Sequence, residues 1–437
     1  MQSIKLCRQL LYVESGIAKR DFKSFPPRFL GERMKNFETF VQSAESWDAF
    51  LEYKLSGEHT PDWEKKIFSE YVKSKQYLED VSDFLEGVPF PDPVVKMLNK
   101  HNNSKKRVVF TFSENKNIFL KFVSFYLMNY DRVFSDNLCS FRKNICVKTA
   151  VRKLVSTPGI SEMYCYKADI SDYFGSVNPQ ILLPQLKSVL HEDERLFCFI
   201  EGLLMNSCAQ KDGETVEVKK GIMAGVPLSA FLANIYLAEM DWYFERENII
   251  YIRYSDDIIV FAETPGKIND CKKYIENFLG SKELKINRNK EACVMPGEWW
   301  EFLGFSYHNG VVDISETSLN KMKKKMKRKA RALVRWKERK NADSNRAVRA
   351  FIKAFNRKLF TGVSDNNITW SRWYFPVINT TQSLHALDLY MQDCIRYIAQ
   401  GNYSKSRFNL RYSDMKTLGY TSLVNKFYKY EKSWKTK

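Results

Sequence analysis

The chain has 437 residues, 44% of them hydrophobic, and carries 69 Lys and Arg against 51 Asp and Glu for a formal charge of +18. That length allows two or three domains with a substantial core, and the composition excludes a low-complexity or unfolded chain. The basic excess points to a polyanionic partner, nucleic acid before an anionic membrane surface.

The longest apolar stretch, Met223 to Ala238, is interrupted by Pro227, Ser229 and Asn234, so no membrane span is expected. Nine cysteines without CxxC spacing, and a start, MQSIKLCRQLL, without signal-peptide character, predict free thiols in a reducing cytoplasm. The five histidines are scattered, with no zinc-site spacing.

In chain order, residues 1 to about 100 predict a helical extension of mixed charge, with apolar residues recurring at three and four in RMKNFETFVQSAESWDAFLEYKL and DWEKKIFSEYVKSKQYLEDVSDFLE. VPFPDP, Val88 to Pro93, breaks that pattern and marks a boundary. A basic patch, SKKRVVFTF, leads into a helical run from Asn115 to Met128, and SFRKN follows at Ser140 to Asn144. YCYKADI, Tyr164 to Ile170, predicts a strand, and helix is expected from Pro179 to about Leu204. KDGE, Lys211 to Glu214, flanked by alternation, predicts a hairpin. GIMAGVPLS then bends into a helix whose Leu228, Phe231, Leu232, Ile235, Tyr236 and Met240 share one face.

RYSDDIIVF, Arg253 to Phe261, puts two adjacent carboxylates at the tip of a predicted hairpin with arms Ile249 to Tyr254 and Asp257 to Phe261. Such a pair repels itself and stabilises nothing there unaided. A divalent cation removes the conflict, and Mg2+ takes oxygen ligands while keeping waters and substrate phosphates in its shell. A plain polar turn is the rival reading of so short a motif. KADISDYFGS adds Asp169 at the end of another strand, and the intervening chain leaves room for a helix and a crossover that bring the acids together. Asp172 has the look of a cap and receives no catalytic role.

Further on, a helix is expected from about Gly266 to Leu279, a short strand at LKINR, and a hairpin in WWEFLGFSYHNGVV with Asn309-Gly310 at its turn. From Thr317 the chain reads as helical and basic: Lys321 to Lys340 holds twelve Lys and Arg against Glu338 alone, +11 of the total +18. Met322, Met326, Ala330, Leu333 and Trp336 form one apolar stripe, leaving Lys324, Lys325, Arg328, Arg331 and Arg335 for nucleic-acid phosphates. A solvated charged face is the plainer alternative, but charge of one sign repels itself without a counter-charge. RYSD recurs at Arg411 to Asp414 without a second acid or apolar flanks, and is read as a surface coincidence.

The order of these motifs resembles the reverse transcriptases, in the branch of bacterial group II intron and retron enzymes, from about Lys105 to Phe305. SFRKN resembles the fingers motif, KADISDYFGS motif A, GIMAGVPLSAFLANIYLAEMD motif B, RYSDD motif C, LKINRNKE motif D and EFLGF the primer-grip motif E. The resemblance implies an α+β right-hand polymerase: an N-terminal extension (1–100), fingers (101–168), a palm with an antiparallel sheet (169–312, with a fingers portion at about 179–220), and a helical basic thumb and C-terminal region (313–437). It implies two Mg2+ ions, with Mn2+ as a substitute, held by Asp169 and Asp256 with Ile170 beside them and Asp257 in support. It further implies that Phe174 fills the space of a ribose 2′-OH, and that Arg142, with Lys106 or Arg107, binds the incoming triphosphate. Ala224, Gly225 and Tyr254 would line the nucleotide site, Lys290 would protonate pyrophosphate, and Phe302, Leu303 and Gly304 would hold the primer end.

Where many relatives read PQG this chain reads Met223-Ala224-Gly225. That departure, and LGYTSLVNKFY near the C-terminus, resemble the defence-associated "unknown group" enzymes, nearest to their type 2, which copy an associated noncoding RNA. The expected function is RNA-directed DNA synthesis from dNTPs, in the cytoplasm, in antiphage defence. Template-independent or protein-primed DNA synthesis, RNA-templated RNA synthesis, and a non-catalytic RNA-binding maturase-like protein are the alternatives.

Overall fold

Tyr164–Asp169 (β3) alternates side chains between two packed faces, and it lies at the centre of an antiparallel four-stranded sheet. The computed structural model describes residues 36–437 except 58–59, 100–105, 143–144, 219–220, 362–368, 402–408 and 436–437. The sheet order is β6-β7-β3-β8, with β6 Ile250–Tyr254, β7 Asp257–Ala262 and β8 Ala292–Val294. The β6–β7 hairpin closes through Ser255 and Asp256, and Ser255 takes the left-handed φ of +60° at a position that ordinarily favours Gly. Helices Val147–Val155, Ala238–Arg246 and Pro265–Ser281 pack on this sheet.

A mixed sheet, β2-β1-β4-β5, lies upstream, with β1 Val94–Asn99, β2 Lys106–Thr111, β4 Cys208–Lys211 and β5 Glu214–Glu217. A third, antiparallel sheet holds β9 Trp300–Phe302, β10 Phe305–His308 and β11 Val311–Ile314. Its turns, Leu303-Gly304 and Asn309-Gly310, have positive φ at both residues. Asn-Gly suits that geometry, whereas a Leu there is unusual and is held by its surroundings.

The N-terminal helices cluster around aromatic rings: Trp47 stacks on Phe122 at 3.7 Å and on Tyr77 at 4.5 Å. Buried Asp193 ties them to the body by accepting from the Phe37 N–H at 2.6 Å and from the Tyr126 and Tyr130 hydroxyls. In the C-terminal region the 25-residue helix Glu316–Lys340 buries Met322, Met326, Ala330, Leu333 and Val334. Lys337 does not join its solvated face: its Nζ donates to the Ile398 and Ala399 carbonyls. Among the described residues no helix is long and apolar enough to cross a membrane.

Three expected elements come out differently. The run from Leu228 to Met240 is two helices, Ser229–Tyr236 and Ala238–Arg246, because the Met240 N–H bonds to Leu237 O and the Tyr236 carbonyl faces the Gln185 amide. The run from Pro179 is interrupted after Val189, where Asp193 turns to its three donors, and resumes at Glu194. LKINR is not a regular strand. Only Ile286 bridges to Ile170, while Ser171 N–H bonds to Lys285 O and Asn287 N–H to Asp169 O, continuing β3 past its end. Strand β1 has no counterpart in the sequence reading. Its Val94, Met97 and Leu98 are all exposed, so it lacks the alternation that reveals a half-buried strand.

Candidate active site

The antiparallel register of β3 and β7 sets Asp169 directly opposite Asp257. One residue on, the Ile170 N–H donates to the Asp256 carbonyl at 3.1 Å, locking the hairpin tip to the end of β3. Three acids therefore meet at one end of the two central strands. Asp169 is 5% exposed, and its carboxylate accepts from the Asn287 side chain at 3.1 Å and from the Lys290 ammonium. Its carbonyl also accepts from the Asn287 N–H at 2.7 Å, so Asn287 holds Asp169 twice.

The electrostatics match that geometry. Burial pushes the Asp256 carboxyl above its ordinary range, and the Asp169 charge adds to it. Burial, then Asp256, then Asp169 push Asp257 up to about 6. Burial pulls Lys290 down, but its hydrogen bond to Asp169 and the charge of the three acids outweigh this and raise it.

Among the described residues no three acidic, His or Cys side chains are gathered into a finished metal cage. The donor set still fits Mg2+, which binds through one or two carboxylates and completes its shell with water and phosphate. Its oxygens are hard, its charges are unbalanced, and the buried Ile170 carbonyl accepts no hydrogen bond among the described residues. Asp169, Asp256 and the Ile170 carbonyl would hold the ion, with Asp257 beside them.

The glycine loop after β5 packs the nucleotide-side candidates together. The Ala224 carbonyl accepts from the Phe110 N–H at 2.8 Å, and a Cβ on Gly225 (φ +103°) would stand 2.9 Å from Phe110 O. Gly221, which the motifs did not single out, is tighter: a Cβ would stand 2.2 Å from the Phe174 carbonyl. Both glycines thus allow a close approach of protein backbone to protein backbone. Phe174 is half-buried, edge-on to Tyr173 at 5.8 Å. Tyr254 is half-buried near the Phe141 ring, and burial raises its phenol. Lys106 and Arg107 lie on β2, but their side chains fall outside the described residues.

Arg142 differs from the sequence expectation. All five of its donors are engaged: Nε and Nη2 with Asp131 at 2.9 Å, Nη2 also with the Asp131 carbonyl, and Nη1 with the Ser135 and Leu138 carbonyls. Its side chain is 6% exposed, so it acts as a strut and has no donor left for a triphosphate.

The Leu303-Gly304 turn is held by the Ser315 N–H on Gly304 O, with Tyr374 Oη 3.1 Å from where a Gly304 Cβ would be. Lys167 on β3 donates to the Glu301 carbonyl at 3.1 Å, and the Glu301 carboxylate caps the N–H of Glu316 at 2.8 Å. Strand β3, strand β9 and the basic helix are thereby joined. On that helix Lys324, Arg328, Arg331 and Arg335 are exposed. Lys325 is half-buried, and burial followed by the charges of Lys358, Arg328 and Lys321 lowers its ammonium.

Residues 98–307 match the protein family described as reverse transcriptase (RNA-dependent DNA polymerase). Over 143 residues the chain is 25% identical to the retron Ec86 reverse transcriptase of Escherichia coli, a stretch that covers 32% of this chain and 40% of that protein. Among solved structures it is similar to Candida tropicalis telomerase in complex with a fragment of telomeric RNA (TM-score 0.42, 11% identity, 81% of this chain and 67% of that one). It is also similar to the Candida albicans telomerase complex (TM-score 0.40, 11% identity, 80% and 66%). The chain carries a reverse transcriptase domain.

The crowded acids have a measurable cost. Asp257's folded value of about 6 stands above its ordinary 3.8. Its contribution is fully present below about pH 4 and is lost as the pH rises through 6. Asp257→Asn is therefore expected to raise the unfolding free energy by about 3 kcal/mol at about pH 7.5, with the gain shrinking toward zero near pH 4. Urea denaturation at the two pH values checks this, and an equal gain at both would refute the electrostatic cause.

Proposed function

We propose that this chain is an RNA-directed DNA polymerase that adds dNTPs to a primer 3′ end, with residues 101–168 as fingers, 169–312 as palm and 313–437 as a basic thumb and C-terminal region behind the N-terminal helices. The observation that carries the reading is the meeting of Asp169, Asp256 and Asp257 at one strand end inside the matched domain. Bound Mg2+ supplies activation of the primer hydroxyl and neutralisation of the leaving pyrophosphate.

The protein's own residues do the rest. Asp169 and Asp256 hold the charge at the strand ends, and Ile170 and Asn287 keep them in register. Lys290, which donates to the Asp169 carboxylate, holds a proton at Nζ for the leaving group. Phe174 fills the space that a ribose 2′-OH would occupy. With Arg142 engaged as a strut, Lys106 and Arg107 bind the triphosphate. The Phe302–Gly304 turn seats the primer terminus, and the exposed cations of helix Glu316–Lys340 hold the duplex backbone. The template is an associated noncoding RNA and the setting is antiphage defence, a reading supported by the Met223-Ala224-Gly225 departure in motif B. That same departure favours template-independent or protein-primed synthesis as the second reading.

The deciding experiment is dNTP incorporation by the purified protein with its co-purifying RNA and Mg2+, beside Asp256→Asn, with the products sequenced. Products complementary to one RNA, absent in the variant, are expected. Random or homopolymer products would shift the assignment to untemplated synthesis, and activity that survives Asp256→Asn would overturn the site. Phe174→Ala is expected to raise ribonucleotide incorporation at least about tenfold, measured by competition between rNTP and dNTP. Replacing Lys324, Arg328, Arg331 and Arg335 with Gln is expected to lower the slope of log K against log salt for RNA binding by up to about 3. An unchanged slope would remove this helix from the backbone contacts.

A further inference from the structure

Behind the acidic tip lies a fully buried ion pair. Arg253 on β6 and Asp241 on helix Ala238–Arg246 are both 0% exposed. Arg253 Nε donates to Asp241 Oδ1 at 2.8 Å and Nη2 to Oδ2, and the Tyr251 hydroxyl donates to the same carboxylate at 2.9 Å. A buried pair of this kind gives little net stability over well-packed apolar residues of the same volume. Its remaining contacts are more informative: Nη1 donates to the Ser255 carbonyl at 3.2 Å and Nη2 to the Asn234 carbonyl at 3.3 Å.

Ser255 is the residue that needs holding. It is not glycine, yet its φ is +60°, and it stands between Tyr254 and Asp256. Its other end is fixed too. The Ser255 N–H donates to Ser140 Oγ at 2.9 Å, and Ser140 is bonded in both directions to the Asn234 side chain. Both peptide groups of one strained residue are thus gripped by buried side chains that touch no acid of the site.

We propose that Arg253, paired with Asp241, and Ser140, paired with Asn234, are positioning residues that clamp Ser255 in its left-handed conformation and so set where Asp256 presents its carboxylate. Arg suits this task because its planar fork grips the Asp241 carboxylate and still reaches two carbonyls, which the single ammonium of Lys cannot do. The inference rests on reading the strand-end acids as a divalent-ion site.

The test reads metal binding apart from turnover: Mn2+ binding followed by EPR on the full chain without nucleic acid, with the melting temperature measured alongside. Arg253→Lys is expected to weaken Mn2+ binding about tenfold. Ser140→Ala, which leaves the ion pair whole, is expected to weaken it severalfold in a chain that still folds, with the melting temperature lowered by the orphaned Ser255 N–H. Ser255→Gly adopts the required φ without a clamp, so Arg253→Lys/Ser255→Gly should bind Mn2+ more tightly than Arg253→Lys. A merely structural ion pair would show no such rescue. Wild-type affinity in both Arg253→Lys and Ser140→Ala, or a double variant no better than Arg253→Lys, overturns the proposal. If Arg253→Lys does not fold, Ser140→Ala decides alone. Wild-type protein that binds Mn2+ without incorporating dNTPs would refute the polymerase reading and leave the clamp standing, whereas wild-type protein that binds no Mn2+ overturns the clamp.

Discussion

The register of two antiparallel strands governs this structure. Pairing Asp169 with Asp257 forces like charges together at the end of the two central strands, and a slip of one residue would send one of them to the opposite face. The neighbouring contacts oppose that repulsion or hold the strands in place against it. Lys290 and Asn287 hold Asp169, Ile170 holds the Asp256 backbone, and Lys167 ties the same strand to Glu301, whose carboxylate caps the start of the basic helix. The site is expensive in folding free energy, and its architecture is consistent with a cation arriving from outside.

Local signals in the sequence foretold the parts of the fold that depend on them. The strand in YCYKADI, the hairpin around Ser255 and Asp256, and Asn309-Gly310 at a turn all stand in the structure where they were expected. What remained hidden depends on distant partners. Periodicity runs unbroken through Leu237, so the break that separates Asp241's helix from the preceding one left no local trace. Strand β1 is exposed on residues of both parities and resembles a loop. Arg142 sits in a motif that suggests phosphate binding, and only the fold shows that Asp131 and two carbonyls had already claimed it. Asn287 lies inside LKINRNKE, but nothing in one sequence distinguishes it from a turn residue.

The two copies of RYSD show how far context outweighs identity. In the first, Arg253 is buried against Asp241 and Asp256 stands at the tip of a sheet. In the second, Arg411 is the N-cap of a short helix, Tyr412–Thr417, and Asp414 accepts the Arg411 N–H at 2.8 Å, so the acid is spent on capping. Four identical residues become a candidate site in one place and a helix start in the other, because apolar flanks build a sheet around only one of them.

Anomalous scattering from crystals grown with Mn2+, a primer–template and a non-reactive dNTP analogue would show whether the strand-end acids hold a divalent ion. The expected result is an anomalous peak between the carboxylates of Asp169 and Asp256, in contact with the analogue's phosphates and with Lys290 Nζ moved away from Asp169. Bound analogue with no peak there, or a peak at other residues with Lys290 still on Asp169, would contradict it.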